Sequence, residues 1–300
     1  IHIIKTNINA RANQATCARK LEKPAARRYN RHMREITFDM IADAVRECVK
    51  ACGRLTPSCK DALRESLKKE SGSAAKFALS MLLENAETAE TEHLAVCQDT
   101  GMAVFYAKIG QDVHITGGLF DDAVNEGVRR GYAECGWRAS VLDPLTRVNT
   151  KDNTPAVIHI ELTEGDKIVL DFLPKGFGSE NMSRLFMLTP SAGIQGVEDS
   201  IVEAVRLAGA NPCPPVIVGV GIGGTAEKAM ETAKRQLLRP VGEPSHDPEL
   251  AALERRCLDR INALGIGAQG FGGDTTAFAV HCGVFPTHIA SLPVAVNIQC

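Results

Sequence analysis

A glycine run, Gly219-Val-Gly221-Ile-Gly223-Gly224, overlaps the end of a β-branched strand candidate, Val216–Val220, and leads into a helical segment, Thr225–Leu238. A strand passed to a helix through glycines forces sheet and helix to pack as layers, so this part of the chain must be an α/β body. The run also fits G-x-G-x-x-G, in which glycines let a pyrophosphate approach a helix N-terminus. Its surroundings do not fit. A dinucleotide unit needs a second strand ending in an acid about 20 residues on, whereas this helix meets Arg239-Pro240 and a proline-rich loop. The expectation is therefore glycine for close helix packing, with a dinucleotide-binding oxidoreductase as the distant alternative. A second glycine run, Gly265–Gly273, lacks the Lys-Ser/Thr ending of a P-loop.

Upstream the period is helical. Thr37 reads as an N-cap for a helix carrying Phe38, Ile41, Val45, Cys48, Val49 and Cys52, and Asp61–Glu70 and Ser73–Asn85 read as two more. Beyond them, Met102–Ile109 and Val113–Ile115 are strand candidates and Ala123–Cys135 a helix. Ala156–Leu162 and Lys167–Phe172 read as paired strands joined at Gly165-Asp166, a hairpin-type turn. Helices over Gly196–Ala208 and Pro248–Leu264 and strands over Thr276–Val280 and Val294–Ile298 complete the pattern. The expected class is α+β: a helical N-terminal layer on a mixed α/β body, with residues 33–300 as one continuous domain.

Residues 1–32 stand apart. They hold eight basic residues against one acid, Glu22, while the rest of the chain has 26 basic and 35 acidic. With no long apolar core, this tail is no secretory signal, and non-native or disordered sequence is the expectation. The net charge of −2 and 5% aromatics argue against nucleic acid and membrane partners. A cytoplasmic setting with reduced thiols follows.

Ten cysteines are too few for a disulfide scaffold in 300 residues. Cys48, Cys52, Cys135, Cys257 and Cys282 sit in apolar-periodic segments and read as core. Cys97, Cys213 and Cys300 do not. Cys97 opens a polar turn, Cys213 lies among prolines in Asn211-Pro212-Cys213-Pro214-Pro215, and Cys300 follows a strand. Thiols so far apart cannot form a local zinc knuckle. They are either three structural cysteines or three loop-borne ligands of one iron–sulfur cluster.

Four ordered motifs carry a family resemblance: Cys97-Gln98-Asp99-Thr100-Gly101; Pro174-Lys175-Gly176-Phe177-Gly178-Ser179-Glu180-Asn181; the Cys213 loop; and Gly265–Gly273 continuing through Pro286-Thr287-His288 to Pro293–Cys300. The chain from about Met33 resembles class I, iron–sulfur fumarate hydratases, specifically the alpha subunit of the two-subunit form, which is similar to L-tartrate dehydratase alpha subunits. The resemblance implies a [4Fe-4S] cluster on Cys97, Cys213 and Cys300, with the fourth iron open as a Lewis acid for hydration of fumarate to (S)-malate. It implies catalytic roles for Asp99 and His288, and substrate contacts from Gln98, Arg138, Gly176, Ser179 and Asn181. It also implies a hetero-oligomer in which a beta subunit supplies the base and further arginines. The plainer alternatives are an Asx-turn at Asp99, a surface ion pair at Arg138, a simple turn at Gly176–Asn181 and a structural histidine at His288. Lys175 is expected near the same cavity, without a role.

Overall fold

The computed structural model describes residues 33–300 and a two-residue strand, Thr6–Asn7; the remainder of the basic tail lies outside the described residues. In chain order the elements are β1 (Thr6–Asn7), β2 (Arg34–Thr37), α1 (Phe38–Ala51), α2 (Pro57–Lys69), α3 (Ser73–Thr91), β3 (Met102–Gly110), β4 (Val113–Thr116), α4 (Phe120–Glu134), β5 (Val157–Thr163) and β6 (Ile168–Lys175). They continue with α5 (Phe177–Glu180), β7 (Arg184–Leu188), α6 (Gly193–Ala208), β8 (Val216–Gly223), α7 (Ala226–Gln236), α8 (Pro248–Asn262), β9 (Ala277–Phe285) and β10 (Leu292–Gln299). The class is α+β, as expected. Two compact units divide the chain. The larger holds Cys52–Met102 and Leu173–Cys300, and the smaller holds Ala103–Phe172 with the described residues up to Ala51.

In the smaller unit α1 packs on α4, and Thr37 caps α1 by accepting the Met40 N–H at 3.3 Å. Its main sheet has the order β1-β6-β3-β5, and β2 pairs in parallel with β4. This corrects the hairpin expected at Gly165-Asp166. β3 is inserted between β5 and β6, and β5 runs parallel to it, Val104 opposite Val157. The physical reason is burial. Ala103–Ala107 are all buried, so β3 needs a strand on each edge to satisfy its backbone. The expected turn instead wraps the end of β3, where Gly110, Gln111 and Asp112 donate to Lys167, Thr163 and Gly165 carbonyls at 2.8–2.9 Å.

In the larger unit the sheet order is β7-β10-β8-β9, with β10 antiparallel to both neighbours and β8 parallel to β9. Val216, Val218 and Val220 of β8 and Val294, Val296 and Ile298 of β10 face Val197, Ile201 and Val205 of α6 and Leu253, Cys257 and Ile261 of α8. The other face carries Ala295 against Ala229 and Ala233 of α7. α7 lies almost on the strand. A Cβ on Gly221 would stand 2.0 Å from the Ala229 carbonyl, and one on Gly219 2.1 Å from that of Ala233. The first two glycines of the run are thus strand residues that admit a helix, not part of a phosphate-binding turn. In the same unit α2 and α3 pack through Leu63, Ala75, Ala78 and Leu79. No helix among the described residues is long and apolar enough to cross a membrane.

Candidate functional site

The antiparallel register of β8 and β10 builds the site. Ile217 lies opposite Gln299, so the entry to β8 and the exit of β10 share one end of the sheet. Cys213, three residues before β8, and Cys300, the residue after β10, are carried to that end on separate segments. Cys97 reaches it on the connection between α3 and β3. All three are free and exposed.

Each loop has its own support. Cys213 has φ of 53°, and its N–H donates to the Ala210 carbonyl at 3.0 Å. Such a left-handed conformation is costly for a non-glycine residue and needs outside support. That support comes from the second glycine run. Gln269 donates to the Pro214 carbonyl twice, from its backbone N–H at 2.7 Å and from Nε2 at 2.9 Å. The run is tight enough that a Cβ on Gly267 would meet the Gly272 carbonyl oxygen at 1.6 Å. It is anchored to α2 through the buried Glu70, which accepts the Asp274 N–H at 3.0 Å.

The Cys97 loop is an Asx-turn: Asp99 Oδ1 accepts the Gly101 N–H at 3.1 Å. Its Oδ2 accepts the Phe177 N–H at 2.8 Å, tying this loop to the Gly176–Asn181 segment. The Asp99 N–H donates to Cys97 Sγ at 3.4 Å, and that thiol donates to Gln98 Oε1 at 3.4 Å.

Cys97, Cys213 and Cys300 line one cavity of about 360 Å³. Its other walls are largely apolar, with Leu55, Leu63, Leu82 and Phe278 among them, and Gln98 and Gln269 supply amides. Cys59 of α2 also lines it, a fourth thiol that the sequence pattern did not single out. Among the described residues no group of three or more His, Cys, Asp or Glu is arranged to hold a metal ion. What the three thiols share is the cavity they line, and thiolates are soft donors.

A buried cation lies beside them. Lys175, 1% exposed, donates from Nζ to Ser179 Oγ at 2.8 Å, the Ile298 carbonyl at 2.9 Å and the Gly176 carbonyl at 3.2 Å. Glu180 stands 3.4 Å from Nζ, accepts from Lys234 at 2.6 Å, and receives Asn297 Nδ2 at 2.9 Å. Burial pulls the Lys175 ammonium down to about 8, against the opposing pull of Glu180 and Cys300. Burial works to raise the Glu180 carboxyl, but Lys234, Asn297 and Lys175 outweigh it and hold it below the usual range. The Cys300 thiol is desolvated although the residue as a whole is exposed. Burial pushes it up, Lys175 pulls it down, and Cys97 and Cys213 push it up further.

The remaining sequence candidates are dispersed. Ser179 is buried, and its hydroxyl serves Lys175 and the Gly176 carbonyl. Asn181 is exposed at the C-cap of α5. Arg138 belongs to the smaller unit, after α4, on a loop braced by Asn149 to the Ala139 carbonyl and by Asn153 Oδ1 to the Ser140 N–H, both at 2.8 Å. His288 precedes β10, with Nδ1 against the Ala290 N–H at 3.2 Å. Cys300 follows β10, an eight-residue strand. At about 3.3 Å per residue this puts some 26 Å of strand between them, so His288 is not at the cavity.

Fold and site together describe an α+β chain with a thiol-lined cavity at one end of the sheet of its larger unit. The chain belongs to the fumarate hydratase (Fumerase) family, a hydro-lyase family whose profile matches residues 41–300. It is 43% identical over 267 residues to a protein described as putative L(+)-tartrate dehydratase subunit alpha from Methanocaldococcus jannaschii, covering 87% of this chain and 94% of that one. It is 30% identical over 251 residues to L(+)-tartrate dehydratase subunit alpha of Escherichia coli and of Shigella boydii, covering 82% of each partner in the alignment.

Proposed function

We propose that this chain is the alpha subunit of an iron–sulfur hydro-lyase that adds water to fumarate to give (S)-malate, and removes it again. The observation that carries the reading is the shared cavity of Cys97, Cys213 and Cys300, three soft donors on three supported loops. These cysteines would hold a [4Fe-4S] cluster, which when bound supplies an iron without a protein ligand as Lewis acid toward the substrate hydroxyl.

The chain's own residues shape the surroundings. Asp99 holds the Cys97 loop against the Phe177 N–H, and so sets the opening of the cavity beside Gln98. The apolar wall of Leu55, Leu63, Leu82 and Phe278 excludes water from the opposite side. Arg138 is kept as a substrate-carboxylate group on its braced loop, since a guanidinium fork matches a carboxylate. His288 is given no step within one chain. The base that removes the C3 proton, and the further arginines, are assigned to a beta subunit, in keeping with the relatives' naming as alpha subunits.

A second reading, dehydration of L-tartrate, is favoured by what those relatives are called. The experiment is anaerobic reconstitution with iron and sulfide, then assay of malate, fumarate and L-tartrate by the chain alone and with its partner. Cluster loading without turnover alone, and malate dehydration with the partner, is the expected result. Turnover of L-tartrate but not malate selects the second reading. A reconstituted chain that binds no iron removes both.

A further inference from the structure

Lysine is among the residues least often buried, and a buried ammonium survives only when its donors are used and its charge is answered. Lys175 meets the first condition with three acceptors, Ser179 Oγ, Gly176 O and Ile298 O. The second is met in two directions. On one side stands Glu180, already held by Lys234 and Asn297. The other direction is the end of β10, where Lys175 grips the Ile298 carbonyl at 2.9 Å, two residues before Cys300. One carboxylate thus faces two ammonium groups, and the group of three keeps a net positive charge next to that strand end.

We infer that Lys175 is a positioning residue that fixes the end of β10 and compensates the charge of the Cys300 thiolate, and that Glu180 sets how much of that positive charge reaches the group bound by the three cysteines. The inference rests on the cluster reading above. It reaches beyond that reading by giving opposite electrostatic tasks to two residues that do not ligate the cluster. Neighbours of metal ligands commonly alter affinity 10- to 100-fold when replaced. A purely structural lysine would alter only folding.

The sign of the effect follows from Coulomb's law. A positive charge near the cluster favours the more reduced, more negative state. Lys175→Met keeps the length of the side chain and removes the charge, so the midpoint potential moves down and iron retention against a chelator weakens about 10-fold. Glu180→Gln keeps the shape and removes the negative charge, so the potential moves up.

The test is an anaerobic redox titration of the reconstituted full chain, followed by electron paramagnetic resonance, with iron content and circular dichroism measured on each sample. Shifts of opposite sign support the inference. Unchanged potentials, or shifts of the same sign, overturn it. If both variants keep native dichroism and lose the cluster together, the pair is structural and the inference falls. Should Lys175→Met not fold, Glu180→Gln decides alone: an upward shift supports and an unmoved potential overturns. A wild-type chain that loads no cluster overturns the proposed function and this inference with it, whereas a loaded wild type with unmoved variants overturns only the inference.

Discussion

Gln269 holds the Pro214 carbonyl with two hydrogen bonds, one from its backbone and one from its side chain. Pro214 follows Cys213 directly, so the second glycine run acts on the thiol one residue away. Gln269→Ala removes the side-chain bond and leaves the backbone bond. The expected cost is about 1 kcal/mol of stability and about 10-fold faster loss of iron to a chelator. Thermal unfolding and a timed bathophenanthroline assay measure the two, and equal iron loss from wild type and variant would contradict the role.

Gly221 leaves no room for a side chain. Gly221→Ala must push α7 off β8, because the clashing atom is the Ala229 backbone carbonyl. A loss of about 3 kcal/mol or more is expected, at the upper end of overpacking costs. NADH should not shift the melting temperature of the wild-type chain. A clear shift would restore the dinucleotide reading.

Four thiols line the cavity, yet three are assigned as ligands. Cys59 lies on α2, where its N–H is capped by Thr56 Oγ1 at 3.3 Å, and it packs in the helical core. Cys59→Ser should load iron at the wild-type ratio. Cys213→Ser should not, since a hydroxyl is a poor ligand for iron that prefers thiolate. Full loading of the Cys213 variant together with failure of the Cys59 variant would reassign the ligand set.

His281 gives the chain an acid-sensitive step. It is 2% exposed, and burial pushes the imidazole down to about 4, with Arg239 helping, Glu254 opposing and the Gln236 carbonyl as its partner. Its unperturbed value is 6.5. Between these values the unfolded chain binds the proton and the folded chain does not. Stability is therefore complete above about pH 6.5 and falls as the pH drops toward 4, by about 3 kcal/mol in all. His281→Gln should flatten that part of the curve. Urea midpoints at pH 7, 5.5 and 4.5 for both proteins make the comparison, and parallel curves would exclude His281 as the source.

The elements with a clear period were legible: α1 with its Thr37 cap, α6, α7 and α8 all form near the segments that their apolar spacing marks. The hairpin failed because turn chemistry at Gly165 is local, whereas the insertion of β3 is decided by burial elsewhere in the sheet. Strand β7 was missed. Arg184–Leu188 is a short edge strand with half-exposed residues, and it owes its form to pairing with β10. At the site, the cysteines were legible as loop-borne thiols. Lys175 was not given a role, because lysine ordinarily implies a surface and only tertiary packing reveals an interior one. Its place between Pro174 and Gly176 was the available signal. His288 and Cys300 are twelve residues apart in sequence, but the extended β10 between them turns that short sequence distance into a long spatial one.

The three thiols are set by segments far apart in the chain, and one of them follows β10, an interior strand of its sheet. Until β10 slots between β7 and β8, neither the sheet nor the thiol triad exists. Assembly of the site is thus tied to completion of the sheet: the three thiols come together only once β10 is in place. Before that point the thiols sit on separate, unassembled segments, so anything that must touch all of them at once can bind only after the sheet has closed.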